Sequence, residues 1–127
     1  MDRGARTVYM SRVLLIDNDL AWLEAARKTI EGLGAEVVIN IGIIDAVSAA
    51  RIFCPDIVFL DLGMPQLDGS WTFAELKKTV PRIYFHLNSA PGIFNQFACA
   101  VGASGTISKT AVRDGSSDLR AIIERKS

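Results

Sequence analysis

Apolar residues along this chain fall into two patterns. Val13-Leu14-Leu15-Ile16, Ile57-Val58-Phe59-Leu60 and Ile83-Tyr84-Phe85-His86-Leu87 are short, nearly continuous runs rich in branched and aromatic residues. Such runs suit strands buried on both faces. Between them Leu23, Ala26, Ile30 and Leu33 recur at helical spacing, as do Val47, Ala50 and Phe53, and later Phe94, Phe97, Ala98 and Val101. Polar and breaking residues punctuate these segments. Asp19 is placed to cap the first helix and Gly34 to stop it; Asp45 is placed to cap the second, which Pro55 ends. A helix over 71–78 runs into Pro81. Glu36 to Ile41 and Thr106 to Ser108 complete five strands. A fifth helix over 117–126 carries Leu119, Ile122 and Ile123 on one face, with Ser117 as its cap. Strands alternating with helices over short connections predict a parallel sheet with helices on both faces, a three-layer α/β/α sandwich. Residues 1–11 show no period and are expected to form a flexible N-terminal extension to one domain over 12–127. Met10 directly precedes the first apolar run and reads as the natural start.

Ligands of an open α/β sheet bind beyond the carboxyl ends of its strands. Asp17, Asn18 and Asp19 follow the first strand and Asp61 the third. His86, Asn88 and Ser89 stand at the end of the fourth, and Lys109 follows the fifth. If the sheet is doubly wound, the first and third strands are neighbours, and Asp17 and Asp61 meet in one crevice. Carboxylates so crowded call for a cation, and oxygen ligands suit Mg²⁺. Lys109 offers a point charge for an anion. A carboxylate, a hard cation and a lysine together make a site where the carboxylate could accept a phosphoryl group. The same loops argue against a dinucleotide or flavin site, because the first turn carries two acids where a phosphate needs amides.

Bulk properties narrow the picture further. A chain of 127 residues, half of them hydrophobic, can bury a real core. Fourteen basic residues balance fourteen acidic ones, so nothing electrostatic favours broad binding to nucleic acid or an anionic membrane. No apolar run approaches a membrane span, and the first residues lack the apolar core of a signal peptide, so a cytoplasmic location is expected. Cys54 and Cys99 are expected to be buried thiols in a reducing compartment, and Trp22 and Trp71 to be partial core. An enzyme with a substrate of its own, such as a phosphatase, would need a general acid beside Asp61. Only Asp17 and Asp19 are candidates, and the loops are too short for a lid.

VLLIDND, DIVFLDLGMPQLDG, PRIYFHL and GASGTISK follow one another in the order found in the receiver domains of bacterial two-component response regulators, which this chain resembles from residue 12 to about 126. The resemblance implies a flavodoxin-like receiver fold with strand order 2-1-3-4-5. It makes Asp61 the phosphoryl acceptor, Asp17 a metal-binding acid, Lys109 the lysine that contacts the phosphoryl group, and Gly63 the residue whose carbonyl binds Mg²⁺. It implies a histidine kinase or phosphotransfer protein as donor, and output through protein contacts at the fourth helix, fifth strand and fifth helix. Homodimerisation stays open. Four positions depart from the family pattern. Asn18 takes the place of a second metal-binding acid, which predicts weaker Mg²⁺ binding. His86 stands where a threonine or serine contacts the phosphoryl group, either as a replacement donor or as a polar residue satisfied by a backbone group; a shift of one or two residues would give that role to Asn88 or Ser89. Thr106 replaces an aromatic switch residue, and Thr110 a proline. These departures sustain an alternative, a degenerate interaction module that works without phosphorylation.

Overall fold

The computed structural model describes residues 11–61, 69–88 and 94–125. Its strands are β1 (Arg12–Asp17), β2 (Glu36–Ile41), β3 (Ile57–Asp61), β4 (Arg82–Leu87) and β5 (Gly105–Ser108). They form one parallel sheet in the order β2-β1-β3-β4-β5, as expected. The helices are α1 (Leu20–Gly32), α2 (Ala46–Phe53), α3 (Gly69–Lys77), α4 (Phe94–Val101), α5 (Lys109–Asp114) and α6 (Ser117–Glu124).

The two faces of the sheet divide the apolar runs by alternation, because successive strand side chains point opposite ways. Val13, Leu15, Ile57, Phe59, Tyr84 and Ile107 pack with Trp22, Leu23 and Ile30 of α1, Val112 of α5 and Leu119 and Ile123 of α6. Leu14, Ile16, Val58, Leu60, Ile83, Phe85 and Leu87 pack with Ala50 and Phe53 of α2, Phe73 and Leu76 of α3 and Ala98 of α4. The three inner strands are buried from end to end, apart from Arg12 and Asp61 at strand ends. Edge strand β2 is only half buried.

Several expectations need correction. The chain beyond β5 holds two helices, not one. Gly115 closes α5 in the left-handed conformation at φ 73°, and a Cβ there would stand 3.2 Å from Thr29 Cγ2, so the break calls for glycine. Ser116, not Ser117, then caps α6 by accepting from the Leu119 amide. Asp45 makes no capping hydrogen bond, because its own backbone is left-handed at φ 66°. Cys54 and Cys99 are exposed: Cys54 is the C-cap of α2 and Cys99 lies on the outer side of α4 beside the buried Ala98. Trp71 is exposed in the first turn of α3, where partial core was expected, and Phe97 and Val101 of α4 are exposed as well. Residues 1–10, and with them the proposed start at Met10, lie outside the described residues, as do Gly63, Met64, Pro65, Asp68 and Ser89.

Candidate functional site

The sheet order makes β1 and β3 neighbours, and it sets β3 beside β4 with Asp61 opposite His86. Asp17 and Asp61 are the last residues of their strands, and Lys109 opens α5 directly after β5. Asp17, Asp61, His86 and Lys109 therefore converge at the carboxyl end of the sheet, next to the strand-order reversal where such folds bind ligands.

The Asp17 carboxylate is the hub. Its Oδ2 accepts from His86 Nε2 at 2.8 Å and from Lys109 Nζ at 2.7 Å, and its Oδ1 accepts from the Asp19 amide at 2.8 Å. Burial alone would raise its pKa, yet the bonds from His86, Lys109 and the Asp19 amide outweigh it and bring the value down to about 2. Asp17 is thus an anion at any physiological pH. Lys109 Nζ also lies 3.6 Å from Asp61 Oδ2, so one ammonium links both acids. Burial opposes its charge, but the bond to Asp17 and the charges of Asp17 and Asp61 hold its pKa above the ordinary lysine value.

His86 is fully buried inside β4, and its partner is the Asp17 carboxylate, where a backbone group was the simpler expectation. Burial pushes its pKa below the usual histidine value despite the neighbouring anion. The neutral ring then donates through Nε2, which leaves Nδ1 as a buried acceptor with no hydrogen-bond partner among the described residues. A protonated ring would instead bury an unsatisfied N–H, the costlier arrangement.

Sequence reasoning read Trp22 only as core. Its ring does pack in the core, but it also stacks on His86 with centroids 4.6 Å apart and planes 25° apart. Its indole N–H donates to the Lys109 carbonyl at 3.0 Å, and the Lys109 ammonium lies 5.5 Å from the ring centroid. The Asp19 cap fixes this placement: its carboxylate accepts from the Trp22 amide at 3.1 Å while its own amide holds Asp17. A tryptophan in the first turn of the helix after β1 was the one available signal, and spacing alone does not give a ring's direction.

Asp17, Asp61 and His86 each bring one potential ligand atom within 4.8 Å of the others; with His86 Nε2 engaged by Asp17, the two carboxylates are the oxygen donors that fit a hard divalent cation. Asn18 is exposed, and its amide oxygen lies 3.6 Å from where a Cβ on Gly42 would stand. Thr106, at the aromatic position of the resembled family, donates its hydroxyl to Asn95 Oδ1 and so ties β5 to α4.

The sequence profile of the response regulator receiver domain matches residues 13–124. Protein PilG of Pseudomonas aeruginosa is 31% identical over 90 residues, covering 67% of this chain and 65% of PilG. BvgA of Bordetella pertussis, whose name describes a positive transcription regulator of virulence factors, is 33% identical over 103 residues, covering 78% of this chain and 49% of BvgA. The chain thus spans about half to two thirds of the length of these curated relatives. Among solved structures, a response regulator receiver domain protein from Clostridium thermocellum superposes with a TM-score of 0.74 at 21% identity, covering 91% of this chain and 94% of that one. The signal receiver domain of a DNA-binding response regulator from Colwellia psychrerythraea gives 0.72 at 21% identity, covering 91% and 99%. At that identity the structures speak for the fold.

Proposed function

The chain belongs to the response regulator receiver domain family, and from that premise we propose that residues 12–127 form a domain whose Asp61 accepts a phosphoryl group from a partner. Domains of this family are signalling modules of two-component systems, typically phosphorylated on aspartate with Mg²⁺. The observation that carries the reading is the single ammonium of Lys109 joining Asp17 and Asp61 at the sheet's carboxyl end.

Each residue then has a defined task. A carboxylate oxygen of Asp61 bonds to phosphorus as the donor's bond to phosphorus breaks; with a phosphohistidine donor, the leaving nitrogen regains a proton from solvent. Asp17, Asp61, the Asn18 amide and the Gly63 carbonyl are the groups that would hold Mg²⁺, which when bound supplies positive charge against the phosphoryl oxygens. Asn18 brings no charge, so that binding is weak. Lys109, already placed against Asp61, contacts the incoming phosphoryl group. His86 anchors Asp17 and occupies the position of the family's hydroxyl. The donor is a histidine kinase or phosphotransfer protein, the setting is cytoplasmic, and the output is a protein contact at α4, β5 and α5. No helix among the described residues is long and apolar enough to cross a membrane.

The buried His86–Asp17 bond and the Thr106–Asn95 bond favour one rival, an interaction module that works unphosphorylated. Beryllofluoride with Mg²⁺ separates the two. The proposal expects a spectral change in the protein's amide resonances that disappears in Asp61→Asn. No response at millimolar Mg²⁺ leaves the rival.

A further inference from the structure

Receivers of the resembled family pair a hydroxyl at the end of the fourth strand with an aromatic ring on the fifth; here His86 and Thr106 stand at the matching positions. Thr106 offers no ring, and its hydroxyl is engaged by Asn95. His86 faces the other side of the sheet, with Tyr84 and Ile107, and there it does meet an aromatic ring, that of Trp22. Three separate contacts join that indole to the site: the stack on His86, the hydrogen bond to the Lys109 carbonyl, and the ring beneath the Lys109 ammonium. They close a circuit with the Asp17 bonds to His86, Lys109 and the Asp19 amide, and with the Asp19 cap on the Trp22 amide. All of its side chains except those of Asp19 and Lys109 are nearly solvent-free, with Trp22 8% and Asp17 1% exposed. A movement of Lys109 or His86 must therefore displace a ring rooted in the first turn of α1.

We propose that Trp22 is the positioning residue of this site: it holds Lys109 and His86 in register with the carboxylates and carries their displacement to helix α1. The role rests on the reading of Asp61 as phosphoryl acceptor. It gives α1 a share in that response, beside the α4, β5 and α5 surface proposed above.

Two measurements test it. Trp22 and Trp71 are the two tryptophans of the chain, so Trp71→Phe leaves Trp22 as the sole indole emitter without touching the site. In that variant, beryllofluoride with Mg²⁺ shifts the Trp22 emission, and adding Asp61→Asn removes the shift. Separately, Trp22→Phe keeps a ring against His86 but removes the N–H donor to Lys109. Its phosphorylation by acetyl phosphate, measured per folded molecule at low donor, falls about fivefold, the scale of one hydrogen bond. A ring that only fills the core would lower the unfolding midpoint and leave that rate unchanged. If Trp22→Phe does not fold, the emission measurement alone decides. An adduct on Asp61 with unchanged Trp22 emission, or an unchanged rate in folded Trp22→Phe, overturns the role and leaves Asp61 as acceptor. No adduct on the wild-type chain overturns both.

Discussion

Lys109→Met slows phosphoryl transfer from acetyl phosphate to Asp61 by about 10²–10³-fold, the usual cost of removing a preorganised charge from a reacting oxyanion. Methionine matches the length of the lysine stem, so the change isolates the ammonium. The Lys109 side chain is 14% exposed, and its ammonium lies 3.6 Å from Asp61 Oδ2 before any phosphoryl group arrives. Its position costs no reorganisation at the moment of reaction, and its charge acts where water screens it poorly. Lys109→Arg does not rescue, because the planar guanidinium is larger and cannot occupy one point between two carboxylates. Intact-mass time courses read the rates. A Lys109→Met rate within about threefold of wild type would show that the ammonium does not stabilise the transfer.

Asp17→Ala lowers stability by about 3 kcal/mol, the scale of breaking a buried charged network from one side. The loss has two sources. His86 would be buried with both ring nitrogens unsatisfied, and Lys109 would keep only Asp61 as a carboxylate partner among the described contacts. The effect depends on pH with a definite sign. The folded pKa of Asp17, about 2, lies below the ordinary 3.8, so its contribution is full above pH 4 and is lost as pH falls towards 2. That contribution is about 2 kcal/mol from the size of the shift. His86 adds a limb of the same direction at higher pH. Its folded pKa is lowered, so the unfolded chain gains the proton first, and stability declines as pH drops below about 6.5. Denaturant unfolding at pH 7, 5 and 3 checks both limbs. A wild-type stability that is flat from pH 7 to 3, or an Asp17→Ala protein as stable as wild type, would refute the network.

Much of this was legible in the sequence, for identifiable reasons. Parallel strands buried on both faces leave continuous apolar runs, so β1, β3 and β4 stood out, and β2 and β5 followed from alternation. Asp17, Asp61 and Lys109 were legible because strand ends fix where the next residue goes. The misses share a cause: side-chain direction and backbone sign are tertiary facts. Asp45 has the composition of a cap but a left-handed backbone. Gly115 and Ser116 carried the signal for a break between α5 and α6, hidden inside an apparently simple terminal helix. Cys99 and Trp71 are apolar enough for a core but sit at exposed helix positions, and Cys54 is the exposed C-cap of α2. His86 was placed on its strand correctly, but its bond to Asp17 and its stack on Trp22 need the β1–β3–β4 register and the Asp19 cap together, and no local pattern contains both.

Intact mass after incubation with acetyl phosphate and Mg²⁺ tests the central claim most directly, with wild type and Asp61→Asn side by side. The account predicts that wild type gains the mass of one phosphoryl group and that Asp61→Asn gains none. A wild-type chain that stays unmodified at saturating donor and Mg²⁺, or an Asp61→Asn chain that gains the same mass, would contradict it.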